Sequence, residues 1–237
     1  MSIPITEHPA WVQDLFHCTK PYRERIESHP YFLDAAAGTL TLERIQAALV
    51  NFFPLVESFP KYMALNLAKV PPGDAGSNRT ARRWLIANIN VERAHSDWWK
   101  QWAAGFGVSR EVFDVEIRPP AEIDAINSYL WRVCHQGSLA EGMAATNYAV
   151  EGPTGHWTKN VKDGLRKYHG VYGVEVDERT LRWIDSHADY DDLHPHEALE
   201  IIKGAATERE EQERVTYAAR RAMEYYVMAL DACYERF

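Results

Sequence analysis

The stretch that most clearly indicates the fold is residues 85–99, which read LIANINVERAHSDWW. The residues that recur here at intervals of three and four are Leu85, Ile89, Glu92, His95 and Trp99. This spacing places them on one face of an α-helix, which we expect to run from about residue 78 to 104. The apolar members predict that this face is buried, so Glu92 and His95 would be polar groups on a core-facing surface.

Most of the remaining chain also has helical period, and no window shows the alternation of a β-strand. The other expected helices cover about 41–70, a short segment after Ser109, about 120–135, 138–151, 177–187, a segment that runs on from Pro195, and 206–234. We expect the GPTG run at 152–155 to disturb the helix that ends at Glu151. Thr41 is a suitable N-cap for the first of these, and we expect Pro54 and Pro60 to kink it. The sequence therefore predicts an all-α, single-domain helical bundle of about seven helices over residues 1–237.

The composition of the chain excludes several classes of function. The chain has 237 residues, 46% of them apolar and 25% charged, with a net charge of −8. We expect no nucleic-acid partner, because no basic excess is available to neutralise phosphates. We also expect no membrane span and no signal peptide, since no long apolar run or basic leader is present. Three widely spaced cysteines fit a reducing compartment, which predicts a cytoplasmic location.

The first candidate metal-binding motif is Glu92-x-x-His95. At positions i and i+3 both side chains lie on one side of a helical turn and can reach one ion. The motif is weak when taken alone, because the chain has ten histidines and many glutamates. An ordinary surface ion pair is the alternative.

Two further places put ligand-type residues on predicted helices. Glu151 closes a run of small and apolar residues, where the alternative is an ion pair at a helix end. His187, Asp191 and His194 follow the pattern i, i+4 and i+7, which places them on one helical face if the helix continues and lets them converge across a kink if it does not. The alternative for this trio is an acidic loop that solvates a helix end.

Taken together, these residues form a candidate metal site with nitrogen and oxygen ligands and no thiolate. Its six members are Glu92, His95, Glu151, His187, Asp191 and His194. Such ligands suit non-haem iron or manganese better than structural zinc. Helical bundles build dinuclear carboxylate centres in this way, with Glu-x-x-His as a recurring element.

At these residues the sequence resembles the haem-oxygenase-like diiron oxidases, a branch of the thiaminase II and PQQ-synthesis superfold. The likeness is greatest to the fatty-acid decarboxylases of that family that form 1-undecene. The stretches that carry it are ARRWL at 81–85 with VERAH at 91–95, AATNYAVEG at 144–152 and YDDLHP at 190–195. The resemblance covers about residues 9–226, and all six candidate ligands match.

The resemblance implies two Fe(II) ions, the second weakly held, and O2 as co-substrate. It implies a small-molecule carboxylate substrate, either a fatty acid or an amino-acid-derived compound. The expected reactions are oxidative C–C cleavage with decarboxylation, desaturation or N-oxygenation. The resemblance is also compatible with an external electron donor and with a homodimer.

Some positions depart from the decarboxylase pattern. His156 and His196 stand where that pattern has an acid and an aromatic residue. We expect these two imidazoles to lie near the ligands and to make the pocket more polar, with His156 orienting a ligand. The alternative for His156 is a surface position after a helix break. FPKY at 59–62 resembles the family branch that makes 4-aminobenzoate from its own tyrosine, but the position of that tyrosine corresponds to Phe32, with Tyr31 beside it.

The sequence does not exclude two other classes of function. One is a metal-free pocket enzyme of the thiaminase or PQQ-synthase kind, although a thiaminase needs a pocket cysteine and residues 138–156 contain none. The other is a non-enzymatic iron-binding bundle. Small residues near 140–145 fit an open cavity and close helix packing equally well.

Overall fold

A computed structural model describes residues 3–190 and 193–237, and at residues 189 and 190 it describes the backbone only. The helices of the first half are α1 (Ala10–Glu27), α2 (Pro30–Ala37), α3 (Leu42–Asn51), α4 (Phe53–Ala68), α5 (Gly76–Glu92) and α6 (His95–Gly105). Those of the second half are α7 (Ala121–Gln136), α8 (Leu139–Met143), α9 (Glu151–Arg166), α10 (Arg182–Tyr190), α11 (His194–Ala205) and α12 (Arg209–Glu235). No strand occurs in these two ranges, and the predicted all-α bundle is confirmed. Helices α1 and α2 were not among the helices expected from the sequence.

Side-chain caps fix several helix starts where the sequence predicts them. The Thr41 hydroxyl accepts a hydrogen bond from the backbone N–H of Arg44, three residues into α3. Ser138 and Glu141 form a capping box at the start of α8. A short 3₁₀ helix, Arg110–Asp114, follows Ser109. Each cap satisfies backbone donors that the first helical turn leaves without a partner.

Two predicted long helices are interrupted. The helix expected over 41–70 divides at Phe52, two residues before Pro54, which has no N–H to donate to the preceding turn. The helix expected over 78–104 divides between Glu92 and His95. There the Ala94 N–H donates to the carbonyl of Val91, a tighter turn than that of an α-helix.

The segment that carries Glu151 differs most from expectation. A π-helical turn, Ala144–Tyr148, separates α8 from α9, and α9 then runs on to Arg166. The sequence predicted a disturbance at residues 152–155, because they contain two glycines and a proline. Pro153 is instead in the first turn of α9, where its missing N–H costs no hydrogen bond.

Helix α12 is a central element of the bundle and packs against α1, α7 and the π-helical turn. Helix α9 packs against α2 and α10. The buried apolar residues form a connected cluster that extends from Ile3 to Cys233. Within the part of the chain that the structure describes, no helix is both long enough and apolar enough to cross a membrane.

Candidate metal centre

Glu92 and His95 meet at the break between α5 and α6. Glu92 is the last residue of α5 and His95 the first of α6, and both are buried. His95 Nδ1 and Glu92 Oε2 share a hydrogen bond of 2.7 Å. His95 Nε2 is buried and has no hydrogen-bond partner among the described residues. The motif is therefore an internal pair, and the alternative of a surface ion pair is excluded.

Glu151 opens α9 directly after the π-helical turn. Its Oε2 accepts a hydrogen bond of 3.0 Å from the Asn147 amide, whose own oxygen accepts one of 3.1 Å from the Thr146 hydroxyl. Its Oε1 is buried without a partner in the described part of the chain. The π-helical turn places Asn147 one turn before Glu151, so the amide holds the carboxylate in one orientation.

His187 comes from α10. Its Nδ1 donates to the carbonyl of Trp183 at 2.7 Å, which leaves Nε2 as the nitrogen with a free lone pair. The centroids of the His187 and His95 rings are 4.6 Å apart. Such a hydrogen bond to the second nitrogen is the usual way in which a metal-binding imidazole is oriented.

Burial dominates the electrostatics of the site. It raises the pKa of Glu92 to about 8, and burial together with the Glu92 carboxylate raises the pKa of Glu151 well above its usual value. Burial lowers the pKa of His95 and of His194 to about 4, and burial and the neighbouring His95 lower that of His187 to about 3. A divalent cation would offset the free-energy cost of burying both carboxylates in their ionised form, and it would bind the neutral imidazoles directly.

Four of the predicted ligands line one cavity of about 90 Å³: Glu92, His95, Glu151 and His187. The rest of its wall is mainly apolar and includes Phe32, Ile45, Leu49, Phe59, Val161 and Leu230. Its described lining contains no lysine, arginine or cysteine. The polar residues thus lie against an otherwise hydrocarbon-like space.

The other predicted site residues lie elsewhere. His194, the first residue of α11, is buried with its ring centroid 5.4 Å from that of Trp84, and it does not line the cavity. Asp191 lies outside the described residues. His156 and His196 are exposed and do not line the cavity either.

The positions of His156 and His196 correct the expectation that they lie near the ligands and make the pocket more polar. His156 follows Glu151 by five residues, about 140° around α9, and His196 follows His194 by two residues, about 200° around α11. Both imidazoles therefore lie on the opposite side of their helices from the buried residue.

The donor set consists of nitrogen and oxygen atoms of the kind that an iron ion binds. In the described residues, no three His, Cys, Asp or Glu side chains enclose a common point as they stand, so the six-ligand set stays a prediction. The orphaned atoms His95 Nε2 and Glu151 Oε1 are nevertheless the kind of buried nitrogen and oxygen that such an ion would satisfy.

Several residues of the site were not found from the sequence. Phe52, Phe59 and Tyr226 line the cavity, although aromatic residues at helical spacing more often pack in the core than line a pocket. Four tryptophans also line it: Trp99, Trp102, Trp157 and Trp183. The sequence feature that could have identified Trp183 as a site residue is its position four residues, about one helical turn, before His187. Asn147 likewise precedes Glu151 by four residues.

Replacing Asn147 by leucine is expected to lower the affinity for iron about 10–100-fold, because the Glu151 carboxylate loses the donor that orients it. The measurement is equilibrium Fe(II) binding under anaerobic conditions. Asn51→Leu is the matched control, since that amide donates to the Ala47 carbonyl within α3. Equal iron affinity in the two variants would show that the Asn147 hydrogen bond does not position a ligand.

A model for a protein family described as iron-containing redox enzymes matches residues 46–227. The 4-aminobenzoate synthase of Chlamydia muridarum is 27% identical over 212 residues, which are 87% of this chain and 84% of that protein. The protein of the same name from Nitrosomonas europaea is 23% identical over 92% of this chain and 93% of its own length.

Solved structures share the fold. The structure of a TenA homologue from Pseudomonas syringae pv. tomato has a TM-score of 0.88 and 31% identity, with 98% of this chain and 99% of that one covered. A haem-oxygenase-like domain from Shewanella denitrificans has a TM-score of 0.75 at 14% identity, over 97% and 94% of the two chains. The predicted resemblance is confirmed: this chain belongs to the family of iron-containing redox enzymes.

Proposed function

We propose that this chain is an O2-dependent non-haem diiron oxidase that acts on a small carboxylate with a hydrocarbon chain. The observation that carries the proposal is the position of Glu92, His95, Glu151 and His187 along the wall of one apolar cavity. Membership of a family of iron-containing redox enzymes supports it.

The residues that would hold iron are the four cavity residues, together with Asp191 and His194 as the sequence predicts. Bound iron would supply the electrons that reduce O2 and the oxidising power that acts on the substrate. The chain itself orients the ligands through the Trp183 carbonyl and the Asn147 amide. Its apolar wall excludes water from the reacting groups and holds the substrate chain.

The lining favours one of the two substrate classes. A free amino acid carries an ammonium group, and the only acidic residues of the described lining are Glu92 and Glu151, which the metal would use. An alkanoic acid needs a polar partner at one end only and places its chain against apolar side chains. The cavity therefore favours oxidation of a fatty acid by C–C cleavage or desaturation over N-oxygenation of an amino acid.

The proposal predicts that an Fe(II)-loaded sample consumes O2 fastest with an alkanoic acid. The measurement is O2 uptake and visible absorbance after rapid mixing with acids from hexanoic to dodecanoic and with a panel of amino acids. The methyl ester of each acid is the control, because it keeps the chain and lacks the charged group. Equal O2 uptake with and without acid, or a preference for amino acids, would contradict the proposal.

A second candidate function is formation of 4-aminobenzoate, because several relatives carry the name 4-aminobenzoate synthase. Tyr31 lines the cavity, while Phe32 stacks on Trp157 with ring centroids 4.4 Å apart. Consumption of Tyr31 would appear in the mass of the peptide that contains it after exposure of the iron-loaded protein to O2. An unchanged peptide mass, with no aminobenzoate released, would exclude this candidate.

Two further alternatives have less support. A thiaminase-like enzyme needs a nucleophilic cysteine, and the described cavity lining contains none. Cys134 and Cys233 are buried and do not line it, and Cys18 is exposed. A non-enzymatic iron-binding bundle would oxidise iron in bulk, without any dependence of its spectrum on an added acid.

A further inference from the structure

Two of the four cavity tryptophans have a hydrogen-bond acceptor for the indole N–H and two have none. Trp99 donates to the Leu49 carbonyl at 2.6 Å, and Trp157 donates to the Tyr226 hydroxyl at 3.0 Å. The indole nitrogens of Trp102 and Trp183 are buried and unpartnered within the described residues.

These two N–H groups are not explained by the packing of the bundle. The side chains are 7% and 6% exposed, so water in bulk does not satisfy them. Buried donors without an acceptor are rare in native proteins, since each loses its hydration and gains nothing in return. The surrounding structure has supplied an acceptor for Trp99 and for Trp157 but not for Trp102 or Trp183.

The unpartnered pair lies beside the candidate metal centre. The Trp102 and Trp183 rings stack at a centroid distance of 5.7 Å and an interplanar angle of 23°. The Trp183 ring is in turn 3.8 Å from the ring of His187. A ligand that accepts hydrogen bonds from these donors would therefore lie next to His187, a predicted metal ligand.

The chemistry of the pair defines what it can bind. An indole N–H is a donor only, so its ligand must present an acceptor atom. The described lining offers no lysine or arginine for a charged oxygen. Of the other polar groups there, the Thr154 hydroxyl donates to the Val150 carbonyl and His187 Nδ1 to that of Trp183, while His95 Nε2 and Glu151 Oε1 are the atoms that the candidate metal would satisfy.

We propose that Trp102 and Trp183 form a neutral two-donor subsite that receives an oxygen of the substrate's acyl group. This subsite would serve the oxidase proposed above, so it rests on that function. Its ligand chemistry is an acyl oxygen on a hydrocarbon chain, from a carboxylate or from an uncharged carbonyl. The two sources are separated by the choice of probe.

The first test uses metal-free protein labelled with ¹⁵N at the indole nitrogens. The eight tryptophans give eight indole resonances, which single Trp→Phe variants assign. Octanamide, octanoate and octane are added separately. We expect the amide to move the Trp102 and Trp183 proton resonances downfield, as a new hydrogen bond does, and the Trp99 and Trp157 resonances to stay nearly fixed. Octane should enter without this downfield change.

Octanoate distinguishes the two sources of the oxygen. A downfield change with octanoate as well as with the amide assigns the subsite to the carboxylate itself, and a change with the amide alone assigns it to an uncharged carbonyl. Equal changes with octane and with both acyl probes, or failure of every probe to bind, would overturn the subsite. Persistent protection of both N–H groups by bound water alone would overturn it too.

The second test compares affinities. Trp102→Phe and Trp183→Phe keep an aromatic ring and remove the donor, so each should weaken octanamide binding about tenfold more than it weakens octane binding. Trp99→Phe is the matched control, because its N–H already has an acceptor, and it should not change the preference for amide over octane. A loss of the same size for octane would mean that the rings act by packing alone.

Iron binding and O2 uptake are measured on the same wild-type preparation. If the indole resonances respond to acyl probes but no iron binds, the oxidase function fails and the subsite stands. If iron binds and O2 uptake depends on the acid while the resonances do not respond, the subsite fails and the oxidase function stands.

Discussion

Replacing His187 by alanine is expected to lower bound iron from about two ions per chain to about one, and to lower substrate-dependent O2 uptake by more than 100-fold. The imidazole is held by the Trp183 carbonyl with Nε2 available, and its ring lies 4.6 Å from that of His95. Alanine removes this nitrogen and offers no replacement. The measurement is iron content after anaerobic loading, followed by O2 uptake.

His156→Ala is the matched control for His187→Ala. Both histidines were selected from the sequence as parts of the site, but His156 is exposed and lies outside the cavity lining. The control should keep its full iron content. Thermal unfolding of both variants separates loss of a ligand from loss of the fold. Full iron binding by a folded His187→Ala protein would remove His187 from the metal centre.

Gly164→Ala is expected to destabilise the fold by about 3 kcal/mol, a fall in melting temperature of roughly 6–12 °C. A Cβ at this position of α9 would lie 2.0 Å from the Ala35 carbonyl oxygen and 2.4 Å from that of Ala36. These are backbone atoms of α2, so no side chain can rotate to make room. Relief requires separation of two helices that line the cavity.

Gly204→Ala in α11 is the control for Gly164→Ala. Its Cβ would meet only the Ser77 Cβ, at 3.8 Å, which is ordinary van der Waals contact. Alanine is the better helix former, so this change should stabilise the protein by up to about 1 kcal/mol. Thermal and denaturant unfolding measure both variants. Equal stability of the two would mean that α2 and α9 do not approach as closely as described.

Much of the local structure could be predicted because it depends on residues within one or two turns. The helical period and the caps at Thr41, Ser109 and Ser138 indicate helix class and several helix starts. The break at Phe52 was expected only as a kink, since Pro54 removes one donor and packing decides whether the helix bends or restarts. The π-helical turn before Glu151 had no local signal.

Some features of the candidate site likewise follow from the sequence alone, whereas others depend on how the helices pack. The sequence determined which residue types were available, and the spacing of Glu92 and His95 made their contact a local matter. It did not determine that Glu151 and His187 reach the same cavity, that His156 and His196 point away from it, or that Trp102 and Trp183 lack acceptors. Those outcomes depend on how helices far apart in the chain pack together, because burial and hydrogen-bond satisfaction are properties of the assembled bundle and not of any one helix.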